Sequence, residues 1–167
     1  MKKLYVVGNR ASKSLSPMIF NYWFKKYNIQ ASYGYLELTE KNFHKKIKEV
    51  LEKKNTLGLN VTIPFKNKII KHLGKIDTHA KKIGAVNCVT NKKTINGTNT
   101  DWTGYYKTLP NIKQTKNRKV IILGYGGASH AIHYVLKKRG FKDILIFNRS
   151  KKKIKYSKKT EYTKKYS

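Results

Sequence analysis

Apolar positions recur along this chain with two periods, and the switches between them set out its elements. Leu4-Tyr5-Val6-Val7 predicts a strand, and a polar loop follows from Gly8 to Ser16. Ser16-Pro17 predicts a helix start, with the serine as N-cap and the proline at the first helical position. Ile19, Phe20, Trp23, Phe24 and Tyr27 then repeat at helical spacing and predict its buried face. Tyr33 to Leu36 predicts a second strand. Phe43, Ile47, Val50 and Leu51 predict the inward stripe of a second helix. A third strand is expected from Leu57 to Pro64, with Asn60 and Thr62 on one face and Leu59, Val61 and Ile63 alternating with them. Phe65 to Leu73 predicts a short helix with Lys66 at its beginning, and Thr78 to Ile83 predicts another. Val86-Asn87-Cys88-Val89 and Thr94-Ile95-Asn96 predict a hairpin closed by Asn91-Lys92-Lys93. Asp101 is placed to cap a helix from Trp102 to about Leu109.

The clearest signal lies further on. Val120-Ile121-Ile122-Leu123 reads as a buried parallel strand, broken at once by Gly124-Tyr125-Gly126-Gly127. Ala128, Ala131, Ile132, Val135 and Leu136 form a helix stripe that Gly140 stops, and Ile144-Leu145-Ile146-Phe147 is a second strand. This is a βαβ unit with a glycine turn, where main-chain N–H groups and the helix dipole can meet a phosphate. Ser129 stands where the full dinucleotide fingerprint has Gly or Ala, so the glycines alone also fit a plain strand-to-helix turn. The second strand ends in Asn148-Arg149-Ser150 rather than in Asp or Glu. A guanidinium there suits a 2′-phosphate, which points to NADP rather than NAD.

Charge changes the picture less than its size suggests. The 167 residues carry 38 Lys and Arg against 8 Asp and Glu, a formal +30. Such an excess attracts polyanions. Yet only four of the 38 are Arg, and the lysines run along the whole chain instead of gathering in one arm. A Lys-, Asn-, Ile- and Tyr-rich composition accounts for that, and no specific nucleic-acid partner is expected. No apolar stretch is long enough to span a membrane, and the run after Met1-Lys2-Lys3 is too short for a signal peptide. Cys88 is the single cysteine, so no internal disulfide forms, as befits the cytoplasm. His44, His72, His79, His130 and His133 show no metal-ligand spacing and read as structural or surface; no metal is expected.

The fold class is therefore α/β: residues 1–110 as an N-terminal α/β domain with a mixed sheet, 111–118 as a linker, and 119–150 as the start of a Rossmann-like unit. Residues 151–167, with eight lysines and Ile154 as the only aliphatic, are expected to form a disordered tail.

Six pieces of this sequence, in order, resemble the shikimate dehydrogenases. They are Ser14-Leu15-Ser16-Pro17, residues 60–66 (Asn-Val-Thr-Ile-Pro-Phe-Lys), Gly84-Ala85-Val86-Asn87, Asn99-Thr100-Asp101, residues 124–129 (Gly-Tyr-Gly-Gly-Ala-Ser) and Asn148-Arg149-Ser150. That resemblance implies reversible NADPH-dependent reduction of 3-dehydroshikimate to shikimate, a step toward chorismate and the aromatic amino acids. It implies that Ser14 and Ser16 hold the substrate carboxylate, and that Asn60, Thr62, Lys66, Asn87 and Asp101 hold the ring hydroxyls. Lys66 and Asp101 are then the catalytic pair. The cofactor residues are Gly124, Gly126, Gly127, Ala128, Asn148, Arg149 and Ser150. The chemistry suits these types: hydride reaching a ketone leaves negative charge on oxygen, which a positioned ammonium can stabilise and protonate. The partners are small molecules, with a homodimer left open.

Three departures from the family pattern stand out. Tyr125 occupies a position usually held by a small residue and is expected to crowd or stack on the cofactor. Trp102 replaces the usual glycine after the aspartate. The family's later strands, a late glutamine and a returning last helix have no counterpart, so the chain is expected to be C-terminally truncated, with turnover at least ~100-fold below that of a complete enzyme. The competing expectation is an inactive fragment or a substrate-binding module with incidental polyanion binding.

Overall fold

The computed structural model describes residues 1–110 and 118–148. The expected linker, apart from Arg118, and the expected tail lie outside them, as do Arg149 and Ser150. The chain forms two compact units that divide between Asn99 and Thr100.

The first unit is an α/β layer. Strands β1 (Lys2–Gly8), β2 (Ala31–Glu37), β3 (Thr56–Val61), β4 (Lys75–Ile76), β5 (Cys88–Asn91) and β6 (Ile95–Thr98) form one sheet in the order β2-β1-β3-β5-β6-β4. β1 runs parallel to β2 and β3, whereas β5 is antiparallel to both β3 and β6, so the sheet is mixed. The connecting helices are α1 (Ser16–Lys26), α2 (Phe43–Leu51) and α3 (Thr78–Ile83). α2 presents Phe43, Ile47, Val50 and Leu51 to the core, where they meet Val7, Leu59, Val61, Phe65 and Ile69. Phe43 stacks on Phe65 with centroids 4.2 Å apart. Asp77 caps α3 by accepting from the N–H groups of His79 (2.8 Å) and Ala80 (3.1 Å). Asn91 Nδ2 donates to the Leu51 and Thr56 carbonyls and ties the hairpin to the end of α2.

Four expectations for this unit need correction. Leu15, not Ser16, is the N-cap of α1, and no side chain bonds to its first amides. The stripe expected to be buried on α1 is split: Phe20 and Phe24 pack against Val6, Ala11 and Tyr33, while Ile19, Trp23 and Tyr27 are exposed, Trp23 at 45%. β3 ends at Val61: the bond from Thr62 N–H to the Val7 carbonyl (2.8 Å) is the last of its ladder with β1, and Phe65 N–H then closes a turn on the Thr62 carbonyl (2.9 Å). The helix expected over 65–73 is a 3-10 turn over Lys68–His72 only, so Lys66 sits in the turn that leads to it.

In the second unit, α4 (Asp101–Thr108) precedes the βαβ element β7 (Lys119–Leu123), α5 (Gly127–Lys138) and β8 (Asp143–Phe147). β7 and β8 pair in parallel. Ile122, Leu136, Phe141, Ile144 and Ile146 form its core, and Tyr105 and Leu109 pack against them. The expected two-faced burial of β7 is not met: Ile121 and Leu123 are exposed and only Ile122 is buried. Thr100 is the N-cap of α4, which makes Asp101 its first helical residue rather than its cap. A carboxylate there still meets the positive end of the helix dipole.

Candidate functional site

A cavity of about 820 Å³ opens in the first unit at the C-terminal ends of β1 and β3. In an open parallel arrangement, this is where side chains from successive loops converge. The loop after β1 contributes Asn9, Arg10, Lys13, Ser14 and, at the start of α1, Ser16. β3 and the turn beyond it contribute Asn60, Thr62 and Lys66, and the approach to β5 contributes Asn87.

Backbone bonds fix each of these segments. Ser14 N–H donates to the Ala11 carbonyl at 3.1 Å, and Ser14 Oγ accepts from Ser16 N–H at 3.2 Å. Val86 N–H donates to the Lys66 carbonyl at 2.7 Å, and Val61 N–H to the Asn87 carbonyl at 2.8 Å. Lys66 and Asn87 are thereby held on adjacent strands of chain. Asn60 has a further support: the Tyr33 hydroxyl donates to its Oδ1 at 2.6 Å. Burial, reinforced by Cys88, pushes that hydroxyl up to about 12, so it stays protonated as a donor throughout the neutral range. With its carbonyl oxygen occupied, the amide of Asn60 is left to donate.

Six of the seven residues expected to bind substrate thus line one cavity: Ser14, Ser16, Asn60, Thr62, Lys66 and Asn87. Asp101 belongs to the second unit. Arg10 and Lys13 also line the cavity, and sequence reasoning did not single them out. Among the described residues no acid lines the cavity, which is strongly cationic and suited to an anion with several hydroxyl groups.

The glycine turn of the second unit is built differently. Gly124 adopts φ +85°, which only glycine takes without strain. Its N–H donates to the Phe147 carbonyl at 2.7 Å. Tyr125 N–H donates to Asn148 Oδ1 at 3.1 Å, so Asn148 braces the turn. A side chain at Gly124 or at Gly126 would meet nothing within 4 Å. Gly126 is the N-cap of α5 and has no side chain to bond the amides that begin with Gly127 and Ala128. Open space beside unshielded amides fits a diphosphate.

Tyr125 does not stand over this space as expected. It is only 7% exposed, and its hydroxyl lies 3.0 Å from His133 Nδ1 on α5. Its ring packs against His130 with centroids 4.4 Å apart. His133 is itself buried, and burial, with Lys137 and His130 adding to it, lowers its pKa from 6.5 to about 4. Because the folded value lies below the unfolded one, the unfolded chain takes up more protons between them. The stabilisation is complete above pH 6.5 and is lost as pH falls through about 4. Acidification across that window should cost the second unit about 3 kcal/mol. Thermal unfolding followed against pH should show this loss in the native chain and a flattened profile in His133→Phe; equal slopes would refute it.

The chain thus consists of an α/β unit with a polar cavity beyond its parallel strands and a βαβ unit that opens on a glycine turn. Comparison with known proteins gives its family. Residues 6–89 match the model of the shikimate dehydrogenase substrate binding domain, and the chain belongs to that family. It is 40% identical over 161 residues to the shikimate dehydrogenase (NADP(+)) of Clostridium botulinum, covering 93% of this chain and 62% of that protein. It superposes on the crystal structure of shikimate dehydrogenase 1 from Peptoclostridium difficile with a TM-score of 0.82 at 30% identity, covering 97% of this chain and 61% of the other. The Thermus thermophilus enzyme, crystallised in complex with NADP(H) and shikimate, gives 0.74 at 28% identity, with 90% and 57% covered. The chain spans less than two thirds of the length of each of these proteins.

Proposed function

We propose that this chain catalyses the reversible NADPH-dependent reduction of 3-dehydroshikimate to shikimate. The observation that carries the reading is the meeting of Ser14, Ser16, Asn60, Thr62, Lys66 and Asn87 in one cavity of the family's substrate-binding unit. NADPH, when bound, supplies the hydride. The Lys66 ammonium sets positive charge at the ketone oxygen, neutralises the charge that develops there and releases a proton to it. Ser14 and Ser16 donate to the substrate carboxylate. Asn60, Thr62 and Asn87 bond the ring hydroxyls, and Asp101 accepts from one of them.

On the cofactor side, the amides of Gly126, Gly127 and Ala128 would face the diphosphate, with Gly124 and Gly126 leaving it room. Asn148, Arg149 and Ser150 would serve the adenosine end, with Arg149 on the 2′-phosphate. In this reading residues 1–110 are the substrate domain, 119–150 part of an NADP-binding domain, and the cytoplasm the compartment.

A second reading is favoured by one observation: among the described residues, those lining the cavity all lie within the first unit. That unit could bind shikimate without turnover. Following NADPH absorbance with 3-dehydroshikimate, alongside calorimetric titration with shikimate, separates the two. Oxidation of NADPH with matching shikimate formation supports the enzyme. Binding without oxidation supports the module, and neither signal refutes both.

A further inference from the structure

The cavity holds more positive charge than the proposed reaction uses. Lys66 is assigned to the ketone oxygen, and the serines supply neutral donors for a carboxylate. Arg10 and Lys13 line the same cavity, on the same loop as Ser14 and Ser16, and among the described residues no carboxylate lines it with them. We propose that Arg10 and Lys13 form an anion-recognition subsite, one that makes the ionised carboxylate of the ligand its main determinant of affinity. This rests on the reading of the cavity as a shikimate site and adds to it the group that discriminates by charge. Hydroxyl donors favour a carboxylate over its ester only by the extra strength of a charge-assisted bond, whereas a guanidinium and an ammonium add the attraction of a full charge.

A counter-charge is also built in. Glu37, at the end of β2, accepts from both the N–H (3.0 Å) and the hydroxyl of Ser12, which lies between the two cations in the loop. Those bonds, followed by the charges of Lys13 and Arg10, hold its carboxyl below the usual carboxylate range. Glu37 therefore braces the loop from outside the cavity and offsets part of the field inside it. Its charge and its bracing role are separable, because glutamine retains an acceptor for Ser12 while losing the charge.

The test uses the full chain with shikimate and its methyl ester, titrated calorimetrically at about 0.02 M and about 0.5 M salt. The native chain should bind shikimate about tenfold more tightly than the ester at low salt, and the preference should shrink at high salt. Arg10→Gln with Lys13→Gln should lower that ratio at least about threefold, with the ester's affinity unchanged within about twofold. Glu37→Gln should widen the ratio instead. Circular dichroism checks that each variant is folded. Equal binding of the two ligands by the native chain overturns this inference and leaves the shikimate reading standing. So does a double variant that loses both ligands alike, which marks the two cations as scaffold. Failure of the native chain to bind either ligand overturns the shikimate reading itself and this inference with it.

Discussion

Replacing Lys66 with Met lowers turnover about 10³-fold while shikimate binding changes by no more than about threefold, if the proposed role is right. Methionine keeps the length and apolar stem of lysine and removes only the ammonium. The turn that carries residue 66 is fixed by main-chain bonds, from Phe65 N–H to the Thr62 carbonyl and from Val86 N–H to the Lys66 carbonyl, and these do not depend on the side chain. The loss should therefore fall on kcat and amount to about 4 kcal/mol of transition-state stabilisation. Steady-state kinetics beside calorimetry reads the split. A variant that loses binding and turnover in equal proportion would show Lys66 to be a general anchor and not the proton donor.

The largest effect on stability is expected one residue earlier. Phe65 is fully buried and stacked on Phe43 between α2 and the sheet, and its N–H and carbonyl close the turns on either side of it. Phe65→Ala removes the ring, leaves a cavity beside Ile47, Ile69 and Val61, and forfeits the stacking. The cost should be about 3–5 kcal/mol, a large part of what holds a domain of this size together. Urea unfolding followed by circular dichroism measures it. A loss below about 1 kcal/mol would mean that the core described for the first unit closes without this contact.

Helices α1 and α2 of the first unit show what the sequence conveyed about the fold. On α2 the apolar residues occupy a single stripe flanked by lysines, so the buried face could be read directly. On α1 they lie on two faces. Phe20 and Phe24 point to the sheet, whereas Leu15, Met18, Ile19, Tyr22 and Trp23 also fall at helical spacing and are exposed. Periodicity alone does not choose between two apolar stripes on one helix. β4 escaped notice because two residues carry no period. The end of the strand at Val61 did so because the alternation of polar and apolar residues runs on to Ile63, while the chain already turns through the bond from Phe65 N–H to the Thr62 carbonyl.

The candidate site was legible unevenly for similar reasons. The polar residues of β3 and its turn stand out against the apolar positions around them. Arg10 and Lys13 do not, because a cation in a chain with 38 of them gives no signal until the fold sets it in a cavity. Tyr125 looked too large for a cofactor turn by its size alone. Its burial depends on His133, two helical turns further on, and that pairing exists only once α5 has formed.

The central claim is that the cavity beyond β1 and β3 is a shikimate site. The direct measurement is an amide-resolved NMR titration of the chain with shikimate. The claim predicts saturable shifts concentrated at Ser14, Ser16, Asn60, Thr62, Lys66 and Asn87, with the opposite end of the same sheet, around Lys3 and Thr56, unmoved. Saturable binding whose shifts lie elsewhere, or no binding at millimolar shikimate, would contradict it.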